Sequence, residues 1–287
     1  MKKIIFSISL CLCLGFTAIA QDSDAAFVNK RGIAILPEKG DFAIGIDASP
    51  VLSYVGSFFS NYGSNAPSFL GYQNTIYGKY FLQNDRALRA RLTFGLNSAA
   101  EKSYVTDHKK YLIDPLTVDK VIDIQHNSDF NFQLGIGYEF RRGKGRVQGF
   151  YGGELALGLQ GQKQSWDRGN AITTDIRSPY TCTNFSTGAQ SMQSSRTTEV
   201  NYGNTFSLGL SGFAGVEYFF APNISIGGEF GLGINLSTTG EDQVSTESWN
   251  TTDNKYQAKT VKSFSSSPSR EIKIINPGGA IFIMFHF

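Results

Sequence analysis

The sequence predicts an all-β protein: eight antiparallel strands in an up-and-down barrel, with short turns at one end and long loops at the other. Two observations carry this prediction. First, large apolar residues occupy every second position from Phe130 to Phe140, and the residues between them are polar or glycine. Successive side chains of a strand point to opposite faces, so this alternation indicates a strand with one apolar face. Second, short and long connections alternate along the chain.

Each predicted strand repeats the alternation, and boundaries are placed where it fades. In chain order the strands cover 42–54, 75–82, 87–96, 130–141, 147–160, 205–220, 224–236 and 273–287. The chain is also rich in Gly, Phe, Tyr, Ser, Thr and Asn, a composition that suits strands and polar loops better than helices.

The connections between these strands fall into two classes. Three are tight turns with the expected Gly, Asn, Asp and Pro, at 83–86, 142–146 and 221–223. Four are long, at about 55–74, 97–129, 161–204 and 237–272. Outer-membrane barrels have this profile, with short periplasmic turns and long external loops.

The first twenty residues are typical of a secretory signal peptide, which we predict at 1–20. Two lysines precede an apolar run at 4–17 that is too short for a comfortable transmembrane helix. Ala18 and Ala20 form a small-x-small cleavage site before Gln21. We expect export to the outer membrane of a bacterial cell.

The mature chain would consist of a periplasmic lead-in at 21–39 and a barrel domain at 40–287. Cleavage removes two of the 26 basic residues, which leaves 24 against 24 acidic ones. A neutral chain without a basic run gives no electrostatic footprint for nucleic acid. Cys182 alone of the three cysteines remains, so no intrachain disulfide is expected. After residue 20 no segment is typical of a transmembrane helix, so only a barrel could span a membrane.

Alternation alone does not decide which face meets water, since a lipocalin-like soluble barrel alternates with its apolar face inside. Three features favour an apolar exterior: charged residues at mid-strand on the opposite face, aromatic residues crowded at the turn ends of strands, and an amphipathic final strand. Ile283, Phe285 and Phe287 share the apolar face of that strand, and we predict that they form the C-terminal signal read by the outer-membrane assembly machinery.

The inward face carries ionised residues of both signs at similar height. We predict one charge network across the lumen, formed by Lys79, Arg89, Arg91, Glu139, Glu154, Glu217 and Glu229. Asp47 and Lys273 are further candidates. Unpaired buried ions are costly and an eight-stranded barrel is just wide enough for side chains to fill, so the lumen is expected to be largely plugged. The alternative is that the glutamates bind a hard cation or hydrolyse glycosides.

Several segments resemble those of a known group of proteins. These are Gly-Asp-Phe-Ala-Ile-Gly-Ile-Asp at 40–47, Tyr-Gly-Lys-Tyr-Phe-Leu at 77–82, Leu-Arg-Ala-Arg-Leu at 88–92 and the terminal Phe287. Together with the signal peptide they resemble small, porin-like outer-membrane β-barrel proteins of Bacteroidota, similar in design to the transmembrane domain of outer membrane protein A. The resemblance implies architecture more than activity, because this fold hosts anchors, adhesins, pores and lipid enzymes.

The expected role is structural or surface-interactive, and no catalytic, cofactor or metal site is predicted. A narrow pore for small solutes is one alternative. A second alternative is a lipid A deacylase-like enzyme, because His126 and Ser128 share the outward face of a strand, although Glu139 falls on the opposite face. Expected partners are outer-membrane lipid or lipopolysaccharide, the assembly machinery, and an envelope protein bound through the long loops, which are rich in Ser, Thr, Asn and Tyr.

Overall fold

The computed structural model of the protein describes residues 34–48, 74–179, 181–262, 269–275 and 279–287, together with residues 28 and 32. The predicted signal peptide, its cleavage residues Ala18, Ala20 and Gln21, and most of the first long loop lie outside the described residues.

Regular structure in the described residues consists almost entirely of strands. They are β1 (Phe42–Asp47), β2 (Asn74–Gln83), β3 (Arg86–Thr106), β4 (Lys120–Lys144), β5 (Val147–Asp167), β6 (Cys182–Thr183), β7 (Gln190–Ser191), β8 (Ser195–Ala221), β9 (Ile224–Thr239), β10 (Gln243–Asn250), β11 (Lys255–Lys262), β12 (Ser269–Ile275) and β13 (Gly279–His286). One short helix, α1 (His108–Tyr111), follows β3, and its N-terminal amides are capped by Asp107. Within the described residues, no helix has the length and apolar character needed to span a bilayer.

Eleven of these strands form one antiparallel sheet. The pairings run from β1 through β2, β3, β4 and β5 to β8, then to β9 and β13. Because β13 also pairs with β1, these eight strands form a closed path, which we call the ring. The other three extend the sheet: β10 pairs with β8, β11 with β10, and β12 with β9.

The predicted total of eight strands is wrong: the described residues contribute eleven strands to the main sheet, and the ring contains eight of them. The segment predicted as the last strand corresponds to β12 and β13, and residues 276–278 between them lie outside the described residues. The predicted loop at 237–272 contains the hairpin of β10 and β11. This hairpin carries polar residues on both faces, so it lacks the apolar alternation by which the other strands are recognised.

Four strands are also much longer than predicted. β3 continues to Thr106, β4 starts at Lys120, β5 continues to Asp167 and β8 starts at Ser195. These extensions are polar and are held by backbone ladders with neighbouring strands. Alternation marks a strand only where one face meets apolar surroundings, so the polar extensions resemble loops in the sequence.

The tight turns join the same strands as predicted. Each consists of two residues, at 84–85, 145–146 and 222–223. Gly145 and Asn223 adopt left-handed backbone angles, with φ of 69° and 63°. Two-residue hairpins favour such angles because their twist matches that of the strands, and glycine and asparagine tolerate them best. We call this end of the sheet the turn end and the opposite one the loop end.

The apolar face of the ring is its outer surface. Leu134 is 37% exposed, Ile136 60%, Leu232 58% and Ile234 47%, whereas Glu139 is fully buried. This is the reverse of a soluble barrel with an apolar interior. The apolar residues therefore face outward, and most of the ionised mid-strand residues face inward.

Exposed aromatic side chains surround the turn end. They are Phe42, Tyr80, Phe140, Tyr151, Tyr218, Phe220, Phe285 and Phe287. Phe42 and Phe287 stack with ring centroids 5.1 Å apart, and their backbones exchange two hydrogen bonds where β13 meets β1. A belt of this kind is typical of the membrane–water interface.

The described part of the lead-in lies against the turn end. The amide of Gly40 donates to the carbonyl of Phe81, and the amide of Lys39 donates to the side chain of Asn84 at 3.0 Å. Ile35 is almost completely buried. The chain therefore enters β1 across the turn between β2 and β3.

Candidate functional site

Strand register places a glycine directly across from each interior glutamate. The pairs are Glu139 with Gly152, Glu154 with Gly137, Glu217 with Gly227, and Glu229 with Gly215. Because these glycines have no side chains, other long side chains occupy the space beside them: a Cβ atom on Gly137 would meet Arg89, and on Gly152, Gly215 and Gly227 it would meet Phe213, Phe150 and Phe282. On Gly135, which faces the same way as Gly137, it would lie 2.5 Å from Oε1 of Glu154.

The layer nearest the turn end holds two cations and two anions. Nζ of Lys79 lies 3.0 Å from Glu139 and 3.2 Å from Glu217. The guanidinium of Arg141 lies 3.3 Å from Glu139 and 2.8 Å from Glu217. Each cation thus contacts both carboxylates, and all four side chains are at most 3% exposed.

A second layer lies on the loop side of the first. Arg89 donates two hydrogen bonds to Glu229, at 2.8 and 3.0 Å, and its Nε lies 3.3 Å from Glu154. Arg91 donates to the same Glu154 at 2.8 and 2.5 Å. Nη1 of Arg89 also lies 3.9 Å from Glu139, which joins the layers into one charge network.

All seven residues predicted for the network lie together in it, and sequence reasoning missed an eighth, Arg141. The predicted strand over 130–141 ends on this residue, next to the turn. Arg141 lies two positions after Glu139, so strand alternation places both on the inward face, and this spacing is the signal that would have identified it. With Arg141 included, the network holds four basic and four acidic side chains, which balance because unpaired buried charge is strongly unfavourable.

The three cations nearest the turn end also lie against aromatic rings. Nζ of Lys79 is 4.6 Å from the ring centre of Phe150, and Cζ of Arg89 is 4.0 Å from that of Phe213. Cζ of Arg141 is 5.2 Å from the ring of Phe81. Cations this close to a ring face are attracted by its quadrupole. The rings also exclude water from the ion pairs.

His286 and Ser225 complete the network at the turn end. Nε2 of His286 lies 3.2 Å from Glu217 and 3.0 Å from Oγ of Ser225, which donates to the same carboxylate. His286 lies between Phe285 and Phe287 in the sequence, so strand alternation directs it to the inward face.

Of the two further candidates, Asp47 lines the cavity beside the network. Lys273 does not reach it: its ammonium lies 2.8 Å from Glu271 and its side chain is 61% exposed. Lys273 belongs to β12, which lies beyond the network toward the loop end.

A cavity of about 560 Å³ opens on the loop side of the second layer. Arg89, Arg91, Glu154 and Glu229 form its floor. Its walls carry mainly hydroxyl and amide side chains, among them Thr75, Tyr77, Thr93, Asn131, Gln133, Ser207, Ser211 and Asn235. Buried side chains therefore occupy the interior near the turn end, and the cavity lies toward the loop end.

Comparison with protein families gives a match to this sequence. The model described as the Putative OmpA-OmpF-like porin family matches residues 72–231, more than half of the chain. The chain belongs to this family. Together with the apolar outer surface of the antiparallel sheet, this membership identifies it as an outer-membrane β-barrel protein, which confirms the predicted class at that level.

Two other comparisons accompany this result. Curated proteins gave no match. Among solved structures, this porin-family chain is similar to a major outer membrane protein from Thermus thermophilus, with 10% sequence identity and a TM-score of 0.33 over 87% of this chain and 98% of that one.

The tight packing of this porin-family interior predicts different outcomes at two adjacent glycines. A Cβ atom on Gly227 would collide with the ring of Phe282, whereas on Gly228 its nearest neighbour would be a backbone oxygen 3.9 Å away. Gly227→Ala is expected to lower the free energy of unfolding by about 1–3 kcal/mol through overpacking. Gly228→Ala is expected to change it little. Urea unfolding in detergent micelles measures both, and equal effects would contradict the proposed packing.

A second buried cluster lies at the loop end. Arg196 donates to Glu247 at 2.6 Å, to the carbonyl of Asn170 at 2.6 Å and to Sγ of Cys182 at 3.3 Å. Cys182 is 1% exposed, and Asp123 accepts two backbone amides nearby. The thiol is thus enclosed where the segment that contains β6 packs over the extended strands.

His126 and Ser128 lie on the outward face of β4 but do not contact each other. Nε2 of His126 lies 3.2 Å from Asp167, and Ser128 bonds the carbonyl of Lys163. Glu139 points into the lumen and is held by Lys79 and Arg141. Among the described residues, no cluster of His, Cys, Asp or Glu is arranged to hold a metal ion.

Proposed function

We propose that this chain is an outer-membrane barrel whose ring of β1, β2, β3, β4, β5, β8, β9 and β13 encloses a closed lumen, and whose role is structural and surface-interactive. The charge network is the observation that carries this proposal. Every strand of the ring supplies buried side chains to the interior: Ala43, Lys79, Arg89, Glu139, Phe150, Phe213, Ser225 and Phe282. An interior filled from all sides leaves little room for a continuous water column.

The surface-interactive role is supported by the strands that continue past the outward-facing apolar residues of the ring, which we call the apolar band. β3, β4, β5 and β8 carry the sheet well past the apolar residues, and the Arg196 cluster braces the segment above them. Loops on a rigid scaffold are where binding usually occurs. We place the turn end at the periplasm and the loop end outside the cell, in keeping with short periplasmic turns.

A narrow pore is the second candidate, because the family description names porins and the loop half of the lumen is hollow. It would require the charge network to rearrange. A lipid-modifying enzyme is not favoured, because His126 is paired with Asp167 rather than with a hydroxyl nucleophile. We assign no catalytic activity, cofactor or metal.

Further parts of the proposal concern export and partners. We propose that residues 1–20 direct export, that the chain comes from a member of the Bacteroidota, and that Ile283, Phe285 and Phe287 guide insertion by the assembly machinery. The apolar band would contact lipid and lipopolysaccharide. Envelope proteins would bind at the loop end.

Conductance in planar lipid bilayers tests the closed lumen. The wild-type chain is expected to give currents near the baseline, because the charge network and its rings occlude the turn half. Phe282→Ala removes a fully buried ring beside Lys79 and is expected to raise the current. Ile281→Ala, on the outward face of the same strand and outside the predicted assembly signal, is the matched control and should leave the baseline unchanged. Large, steady currents from the wild type would overturn the closed lumen and favour the pore.

A further inference from the structure

The outer edge of β11 is an open strand edge. β11 pairs with β10 along its full length, and no strand in the described part of the chain pairs with its other side. All eight of its residues are exposed. An open edge presents unpaired backbone N–H and C=O groups, to which another extended segment can hydrogen-bond.

The charge of β11 narrows what can pair there. The strand reads Lys-Tyr-Gln-Ala-Lys-Thr-Val-Lys, with three basic residues and no acidic one. Lys255 and Lys262 have acidic neighbours outside the strand, at 3.6 Å and 2.5 Å. Lys259, at its centre, forms no ion pair with a described residue. The positive charge of the edge is therefore least compensated at its centre, at Lys259.

A second copy of the chain fits this edge poorly. Antiparallel pairing of two β11 strands about their centre would set Lys255 opposite Lys262 at both ends of the ladder. Like charges directly opposite each other destabilise a strand pair. The same lysines discourage pairing with neutral strands, a usual defence of edge strands. An acidic segment meets neither obstacle.

We propose that the β11 edge binds an extended acidic segment of a partner protein, which adds to the sheet as a further strand. Backbone hydrogen bonds would supply affinity, and carboxylates opposite Lys255, Lys259 and Lys262 would supply specificity. Tyr256 and Val261, which are exposed and lie on opposite faces of the strand, offer an apolar contact to the segment on each face. The inference rests on the proposed surface role of the loop end, but it does not depend on whether the lumen conducts.

Fluorescence anisotropy with the folded chain in detergent micelles tests this proposal. The probe is a labelled peptide of alternating threonine and valine with three glutamates spaced to meet the lysines. It is expected to bind, and more weakly as salt rises. Lys259→Glu is expected to weaken binding about tenfold, by roughly 1.4 kcal/mol. Lys109→Glu, the same charge change on exposed α1, is the matched control and should bind as the wild type does.

Two further measurements separate strand addition from charge attraction. A peptide of equal charge with a central proline is expected to lose binding, because proline removes a ladder hydrogen bond. Equal binding of that peptide would overturn the proposal. Hydrogen exchange should show alternate β11 amides open in the free chain and protected with the peptide. Protection without peptide would mean that the edge is already covered, which also overturns it. A conducting lumen would contradict the proposed function and leave these results unaffected.

Discussion

Glu217→Gln is expected to lower the free energy of unfolding by about 3–5 kcal/mol, because it removes one charge from a buried, balanced group. Glu217 is fully buried and contacts Lys79, Arg141 and His286. Glutamine keeps the volume but leaves the two neighbouring cations with one carboxylate between them. Equilibrium unfolding in urea, in detergent micelles or lipid vesicles, measures the change.

The matched control is Glu199→Gln. Glu199 pairs with Lys163 at 3.0 Å, but both side chains are well exposed. Exposed ion pairs contribute only about 0–1 kcal/mol, so this variant should unfold almost as the wild type does. If both variants lost the same small amount of stability, the buried charges of the network would not depend on one another for pairing.

Ile136→Arg is expected to destabilise the chain in lipid vesicles by about 2–4 kcal/mol, since it puts a charge on the lipid-facing surface near the middle of the apolar band. Ile136 points outward from β4 and is 60% exposed. Urea unfolding measures the stability of the variant relative to the wild type. It is monitored by tryptophan fluorescence or by the shift of the folded band on an unboiled gel.

Ile122→Arg is the control on the same strand and the same outward face. Ile122 lies in the polar extension of β4, opposite Tyr104 of β3 and beyond the apolar band. There an arginine would meet water, and the change should stay within about 0.5 kcal/mol. A similar loss at both positions would mean that the band does not contact lipid.

Much of the ring was predictable from local pattern. Alternation over 130–141, 147–160 and 224–236 identified strands and their apolar face, because one side meets an apolar medium there. The Gly, Asn and Pro residues of the turns identified which consecutive strands pair as tight hairpins, since few residue types fit two-residue turns. The inward parity of the charged residues followed from the same alternation.

Other features depended on contacts between distant parts of the chain. The hairpin of β10 and β11 forms on the polar extension of β8, and its backbone ladder leaves no trace in hydrophobicity. Arg141 contacts Glu139 on its own strand, but strand register also brings it to Glu217, 76 positions away along the chain. Cys182 is enclosed because Arg196 and Asn170 meet above the extended strands.

The amino-acid sequence by itself thus determined the faces of the strands, since side-chain direction alternates with a period of two whatever the strand pairs with. Only the tertiary structure decided which charges meet, because register and closure of the ring set the distances between side chains, and an ion pair depends on distance. The same reason separates Arg91, which reaches Glu154, from Lys273, which does not reach the network.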